Sequence, residues 1–187
     1  MLCGPKLCSM KTALLVIDIQ DSFKIDPARW ERRSNPCFEE NVTKLIATFR
    51  EAGEPVLFVL HNDSDPGFRP GDPEVRLMSF LDRRDSEPLL VKNTRNAFTS
   101  TDLQQRLDAL GVKRVAVCGI STEQCCETTT RVAADLGYEV DFVTEATLTF
   151  PIGTLSTDAI IERTEAVLRG RFARIATVDE MEAVFAT

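Results

Sequence analysis

Short apolar runs alternate with amphipathic segments along most of the chain. The first run, Thr12–Ile19, is mostly apolar and contains β-branched residues, as expected of a strand that is buried on both faces of a parallel sheet. The segment from Asn41 to Ala52 instead spaces its apolar residues three and four positions apart, and Gly53 follows it as a stop signal. The first pattern predicts a central strand, and the second predicts a helix that Asn41 caps.

The same alternation continues to the end of the chain. Further strands are predicted at Pro55–His61, Leu89–Lys92, Arg114–Cys118, Glu139–Thr144 and Phe172–Thr177. Further helices are predicted at Pro73–Leu81, Glu123–Leu136, Asp158–Leu168 and Val178–Phe185. Another is predicted to begin at a cap, Ser100 or Thr101, and to run through Leu110. This order predicts a three-layer α/β/α fold, in which helices cover both faces of a six-stranded, mostly parallel sheet.

Side chains with possible catalytic roles follow several of the predicted strands. Asp18 comes at the end of the first strand, and His61 and Lys92 end the next two. Cys125 follows the turn after the fourth strand. Right-handed crossovers bring the loops after parallel strands to one edge of the sheet, and ligands bind at that edge. We therefore expect these four side chains to lie close together.

Length and composition are those of one ordinary soluble domain. With 187 residues, 43% of them apolar and 27% charged, we predict a single domain over residues 11–187, preceded by an irregular extension over residues 1–10. The net charge of −7 disfavours binding to nucleic acid or to an anionic membrane. The apolar runs are too short for a membrane span or a signal peptide, which predicts a cytoplasmic protein.

The cysteines and the single histidine limit the chemistry further. The chain has no secretory features, so its six cysteines are predicted to be free thiols. His61 alone leaves too few ligands for a zinc site, and we predict neither a metal nor another cofactor. Cys125 would lie in the first turn of the helix that opens near Glu123, where unpaired N–H groups and the helix dipole favour an anion. We therefore predict a depressed pKa for the Cys125 thiol.

Three motifs carry a resemblance to a known family. IDIQDSF follows the first apolar strand, VKNTRNAF lies in the middle of the chain, and CGISTEQCCETTTR leads into a helix. Taken together and in this order, they resemble the signatures of the isochorismatase-like cysteine hydrolases, which include nicotinamidases and carbamoyl-amide hydrolases. The likeness extends over roughly Lys11 to Ala146.

The resemblance implies a catalytic triad of Asp18, Lys92 and Cys125. It also implies that the backbone N–H groups of Ser121 and Cys125 bind an oxyanion, that the Ile120–Ser121 peptide bond is cis, and that the protein forms a homo-oligomer, a dimer or larger. The residue types suit this chemistry, because Asp18 can take the thiol proton and Lys92 can hold both anions in place. The predicted function is hydrolysis of a C–N bond in a small amide or carbamoyl compound through a Cys125 thioester.

Departures from the family narrow this prediction and leave two alternatives. Nicotinamidases carry an Asp/His metal cluster that one histidine cannot supply, which disfavours nicotinamide as the substrate. Relatives that cleave a vinyl ether can lack the cysteine, so Cys125 favours amide chemistry over this first alternative. The second alternative is a non-catalytic, oligomeric binding protein of the same fold. A redox pair of Cys125 with Cys126 is disfavoured because adjacent helical residues point in different directions.

The substrate pocket is predicted only in outline. Its candidate lining residues are Phe23, Trp30, His61, Arg95, Phe98 and Phe150. The aromatic side chains suit a small, partly apolar amide, although each could equally pack in the core. Arg95 could pair with a substrate carboxylate or lie solvated at the surface. Specificity would reside in the loops Phe23–Cys37, Asn62–Leu81 and Thr147–Ser156, so the sequence does not name the substrate.

Overall fold

The computed structural model describes residues 10–186, and a parallel sheet of six strands forms its centre. The strands are β1 (Thr12–Ile17), β2 (Val56–His61), β3 (Leu89–Lys92), β4 (Arg114–Ile120), β5 (Glu139–Leu148) and β6 (Arg174–Ala176). They lie in the order β3-β2-β1-β4-β5-β6, and every neighbouring pair is parallel. The predicted fold class is therefore confirmed. The predicted extension, residues 1–10, lies outside the described residues apart from Met10.

Helices flank this sheet along the described part of the chain. They are α1 (Pro27–Glu31), α2 (Phe38–Glu51), α3 (Leu103–Ala109), α4 (Glu127–Asp135), α5 (Thr157–Leu168) and α6 (Val178–Phe185). A 3-10 turn, Asp21–Lys24, follows β1, and a π-helical turn, Thr122–Cys126, follows β4. Among residues 10–186, no helix is both long enough and apolar enough to cross a membrane.

The side chains of β1 explain why helices are needed on both faces of the sheet. Leu15 and Ile17 belong to one buried apolar cluster, together with Leu107 of α3. Leu14 and Val16 belong to a second cluster, which includes residues of α2 and α6. Because successive side chains of a strand point to opposite faces, an unbroken apolar run is stable only where both faces are covered.

The segment Pro73–Leu81 forms turns, so the short helix predicted there was wrong. Its backbone pairs instead with the segment that follows β1. The Met78 N–H donates to the Ile19 carbonyl oxygen at 3.0 Å, and Leu77 forms an isolated antiparallel bridge with Gln20. These long-range hydrogen bonds compete with local helical ones, and the sequence pattern does not reveal them.

Several element boundaries also differ from the prediction. Helix α2 begins at Phe38 rather than at Asn41, whose side-chain amide donates to the Glu145 carbonyl oxygen at 2.8 Å instead of capping the helix. Strands β4 and β5 run past their predicted ends because they stay paired beyond a register shift, as far as the pair Ile120–Leu148. The extension of β4 carries the strand to Ile120, two residues before the start of the π-helical turn Thr122–Cys126.

Gly119 allows the carboxyl ends of β1 and β4 to approach closely. Its φ is +134°, and a Cβ atom at this position would lie only 1.9 Å from the Ile17 carbonyl oxygen. Glycine is therefore required here. Asp18, the residue after β1, has a positive φ of 52°, which is uncommon for a residue other than glycine. The close approach places the residues that follow the two strands side by side.

Candidate active site

The structure brings Asp18, Lys92 and Cys125 together at the carboxyl edge of the sheet. Asp18 follows β1, Lys92 ends β3, and Cys125 lies in the π-helical turn after β4. The Lys92 Nζ lies 2.7 Å from the Asp18 Oδ2 and 3.3 Å from the Cys125 Sγ. Asp18 and Lys92 are fully buried, and Cys125 is 5% exposed. The site lies next to the point where the strand order reverses between β1 and β4, as expected for an open α/β sheet.

The turn after β4 holds Cys125 in place. The Ser121 carbonyl oxygen accepts hydrogen bonds from the N–H groups of Gln124 (3.1 Å) and Cys126 (3.2 Å). The Thr122 hydroxyl lies 2.8 Å from the Thr147 hydroxyl and ties the turn to β5. The peptide bond between Ile120 and Ser121 is cis, as the family resemblance implies. The turn is thus anchored on both sides of the sulfur.

Burial has the largest influence on the pKa of the Cys125 thiol. The pKa of Cys125 is raised to about 12, first by burial and then by the Asp18 carboxylate, and the Lys92 ammonium opposes both. The predicted depressed pKa was therefore wrong. A helix terminus can favour a thiolate, but loss of hydration and a neighbouring carboxylate outweigh it here. The resting thiol consequently keeps its proton at neutral pH.

Asp18 is suited to remove that proton. Burial raises the pKa of Asp18 above its usual range, while the Lys92 ammonium and the Cys125 thiol lower it. A thiol is a weak acid, so transfer of its proton to a carboxylate is unfavourable. The free-energy cost of this transfer is smaller when the carboxylate has a raised pKa. A purely structural cysteine would also have a raised pKa, so the contact of Cys125 with a buried Asp–Lys pair is the feature that sets it apart.

His61 forms a further layer behind Lys92. Its Nδ1 lies 3.1 Å from the Lys92 Nζ, and its Nε2 lies 3.3 Å from the Asp63 Oδ2 and also contacts the Arg95 guanidinium. Burial, together with the Lys92 charge, lowers the pKa of His61, so the ring is neutral. The hydrogen-bond partners then assign the tautomer: Nδ1 accepts from the ammonium, and Nε2–H donates to Asp63.

Gln20 fixes the backbone of His61. The Gln20 Oε1 accepts from the His61 N–H at 2.7 Å, and the Gln20 Nε2 donates to the His61 carbonyl oxygen at 3.0 Å and to the Ser22 hydroxyl at 2.8 Å. This buried amide joins the loop after β1 to the end of β2. Sequence reasoning assigned Gln20 no role, although its place in the IDIQDSF motif was the available signal.

A cleft of about 120 Å³ opens over the sulfur. Three of the predicted pocket residues line it, namely Phe23, His61 and Arg95. Its other lining residues are Arg29, Asp63, Asp65, Phe68, Ser121, Gln124 and Cys125. The two residues whose N–H groups were expected to bind an oxyanion, Ser121 and Cys125, therefore both face the cleft. Sequence reasoning missed Arg29 and Phe68, because neither belongs to a motif.

The other predicted pocket residues do not line this cleft. Phe98 packs in the core against Tyr138, with ring centroids 6.0 Å apart. Phe150 stacks behind Phe23 at 6.1 Å, and Trp30 lies 6.2 Å from Phe150. Phe150 therefore packs against Phe23, which lines the cleft, and Trp30 packs against Phe150.

The described part of the chain contains no group of three or more His, Cys, Asp or Glu side chains that could hold a metal ion. The two ring nitrogens of His61 instead contact Lys92 on one side and Asp63 and Arg95 on the other.

Comparison with known proteins assigns the chain to a family. The profile of the isochorismatase domain matches residues 12–180. The chain is 29% identical to the uncharacterized isochorismatase family protein YrdC of Bacillus subtilis, over 91% of this chain and 94% of that protein. It is 35% identical to nicotinamidase 3 of Arabidopsis thaliana, over 74% of this chain and 73% of that protein.

The fold comparison agrees. The crystal structure of an isochorismatase family hydrolase from Chromobacterium violaceum matches with a TM-score of 0.87 and 28% identity, covering 100% of this chain and 99% of that one. The family profile spans all six strands and the buried triad arrangement of Asp18, Lys92 and Cys125. The chain is therefore a member of the isochorismatase family of cysteine hydrolases.

Proposed function

We propose that the protein hydrolyses a C–N bond of a small amide or carbamoyl compound through a thioester on Cys125. The observation that carries this proposal is the buried chain of contacts from Asp18 through Lys92 to the Cys125 sulfur, at 2.7 and 3.3 Å, beneath an open cleft. A relative whose name denotes amide hydrolysis, nicotinamidase 3, supports the same bond type. Nicotinamide itself stays disfavoured as the substrate, because nicotinamidases carry an Asp/His metal cluster and this sequence has one histidine.

The first half-reaction forms the acyl-enzyme. Asp18 takes the thiol proton while the Cys125 sulfur attacks the substrate carbonyl carbon, so a C–S bond forms and the carbonyl oxygen becomes an oxyanion. The backbone N–H groups of Ser121 and Cys125 bind that oxyanion. Asp18 then returns the proton to the leaving nitrogen, the C–N bond breaks, and ammonia or an amine departs.

The second half-reaction releases the acid. A water molecule gives a proton to Asp18 and attacks the thioester carbonyl carbon, and collapse of the new oxyanion breaks the C–S bond. The proton held by Asp18 returns to the sulfur, which restores the resting thiol. Lys92 keeps its positive charge throughout and stabilises whichever neighbour is anionic, the Asp18 carboxylate or the developing thiolate.

The cleft limits the size of the substrate. A cleft of about 120 Å³ has room for several water-sized groups, which suits a small compound. A panel of small primary amides and carbamoyl compounds, assayed for ammonia release, is therefore the direct test. We expect turnover of at least one such compound, and the proposal fails if purified protein with intact Cys125 releases no ammonia from any of them.

Turnover should fall in acid because the mechanism needs unprotonated Asp18. Burial raises the pKa of Asp18 from its usual 3.8, so protonation removes the base at a pH above that value. We expect kcat/KM to decline as the pH decreases through this raised pKa, with a slope of one proton, in a pH–rate profile. Enzyme returned to neutral pH should regain full activity. A flat profile down to pH 4 in folded protein would contradict the role given to Asp18.

Removing the His61 ring should slow turnover because Lys92 loses the neutral acceptor that orients it. A hydrogen bond to a charged group contributes about 1.5–3 kcal/mol, so His61→Ala should lower kcat about ten- to a hundredfold. His61→Asn places an amide oxygen near the position of Nδ1 and should recover much of that loss. Steady-state kinetics of both variants check this positioning role. Equal losses in the two variants would point to packing alone.

A further inference from the structure

The guanidinium of Arg29 is held at the wall of the cleft by an aromatic stack. Its Cζ lies 4.3 Å from the centroid of the Phe150 ring. Phe150 is 2% exposed and lies nearly parallel to Phe23, with an angle of 15° between the rings. Asp26 caps the short helix α1 that carries Arg29, by accepting from its backbone N–H at 3.1 Å. The backbone and the guanidinium face of Arg29 are thus both positioned.

The hydrogen-bonding edge of this guanidinium remains free. Within residues 10–186, the Arg29 side chain makes no ion pair and donates no hydrogen bond, and its one described contact is the stack on Phe150. Arg95, the other arginine of the cleft, differs, because its Nη2 lies 2.7 Å from the Asp63 Oδ2 and it also contacts His61. The carboxylate partner that the sequence suggested for Arg95 is therefore supplied by the protein itself.

We propose that Arg29 is the specificity-determining residue of a carboxylate subsite, so that the substrate is a small amide that also bears a carboxylate. This inference rests on the proposed amide hydrolysis. A stacked guanidinium with a free edge presents parallel N–H donors that match the two oxygens of a carboxylate. Arg29 and Cys125 line the same cleft of about 120 Å³, so one small molecule can reach both.

An anionic substrate would need such a local cation because of the charge in the rest of the protein. The net charge of −7 repels an anionic substrate at long range, and the Arg95 charge is already offset by Asp63. Asp65 also lines the cleft and, like Arg29, is exposed, but no described contact fixes its side chain, whereas Arg29 stacks on Phe150. A substrate with a cationic group, bound by Asp65, is therefore an outcome that the experiment must separate.

The experiment compares three amides of similar size. Succinamate carries a carboxylate, 4-methylpentanamide replaces that carboxylate with an uncharged isopropyl group that has the same number of heavy atoms, and 4-aminobutanamide carries an ammonium. Ammonia release is measured for the unmodified protein, for Arg29→Gln, and for Arg32→Gln as the control. Arg32 is an exposed arginine at the end of the same helix and does not line the cleft, so its variant removes the same charge from the same element.

We expect succinamate to be preferred and Arg29→Gln to lower its kcat/KM about ten- to a hundredfold, as for loss of a hydrogen-bonded charge pair. The same substitution should change kcat/KM for 4-methylpentanamide by less than about twofold, and Arg32→Gln should affect neither compound. Preference for 4-aminobutanamide, or equal loss in the two arginine variants, would overturn the subsite.

A binding measurement keeps the subsite separate from the chemistry. If no amide is hydrolysed, calorimetric titration of succinamate into the unmodified protein and into Arg29→Gln decides the matter. Binding that weakens about tenfold or more without Arg29 would uphold the carboxylate subsite while rejecting amide hydrolysis. Absence of succinamate binding, or binding that is the same in both proteins, would reject the subsite itself.

Discussion

Replacement of Cys125 by alanine should lower kcat for amide hydrolysis by at least about a thousandfold, because it removes the nucleophile while the rest of the site stays in place. The side chain is buried but small, so the free energy of unfolding should change by only about 1 kcal/mol. Steady-state ammonia release, together with urea unfolding of the same preparation, separates loss of chemistry from loss of fold.

The neighbouring cysteine supplies a matched control. Cys126 is fully buried in the same turn and does not line the cleft, so Cys126→Ala removes the same atoms without touching the reactive position. We expect Cys126→Ala to keep at least about half of the turnover, given the small size of the deleted group. Equal inactivation by both substitutions would mean that packing in the turn, rather than the Cys125 thiol, supports activity.

The same variants distinguish the alternatives that the sequence leaves open. A vinyl-ether hydrolase that uses acid catalysis alone would keep its turnover in Cys125→Ala and lose it in Asp18→Asn. A non-catalytic binding protein would show no turnover to lose, and its ligand affinity would not depend on the sulfur. If the protein hydrolyses an amide through a thioester, both Cys125→Ala and Asp18→Asn must abolish turnover.

Removal of the Lys92 ammonium should produce the second large effect. Lys92 and Asp18 are fully buried and 2.7 Å apart, so Lys92→Met leaves an uncompensated carboxylate in the core. Breaking a buried pair in this way costs about 3–5 kcal/mol. We expect a loss of that size in the free energy of unfolding, measured with urea at pH 7, and no measurable turnover. The loss should shrink as the pH falls, because Asp18 can then fold protonated.

A double substitution tests whether the unpaired Asp18 carboxylate causes the destabilisation of Lys92→Met. Asp18→Asn/Lys92→Met removes both charges, and asparagine tolerates the positive φ of 52° that residue 18 adopts. The double variant should regain most of the stability that Lys92→Met loses, while its turnover stays absent. If the two single losses simply add, the destabilisation comes from packing and the ion pair does not couple the residues.

The sequence predicts where Asp18, Lys92 and Cys125 lie because strand ends and motifs give the same answer. Asp18 directly follows the buried strand β1, Lys92 ends the short edge strand β3, and Cys125 follows the buried strand β4. In a parallel sheet these ends meet at one edge whatever the intervening loops do. The convergence of three side chains from distant parts of the chain therefore follows from topology.

Other features depend on tertiary contacts that the pattern does not encode. The pKa of Cys125 depends on how deeply the sulfur is buried and on the nearby Asp18 charge, and neither can be derived from a helix-start pattern. The roles of Arg29 and Arg95 depend on which of them meets Asp63, a contact between two loops. Homo-oligomer formation and cytoplasmic location stay predictions, and size-exclusion chromatography with light scattering would measure the oligomeric state.

Detection of the covalent intermediate during turnover tests thioester catalysis at Cys125. An amide that the protein hydrolyses is mixed with enzyme and quenched in acid within milliseconds, and the intact mass and peptide masses are recorded. Catalysis through a thioester predicts an added acyl group on the peptide that contains Cys125, absent in Cys125→Ala, and formation of a hydroxamate when hydroxylamine is present. Continued turnover with Cys125 unmodified at every time point and no hydroxamate formed would contradict it.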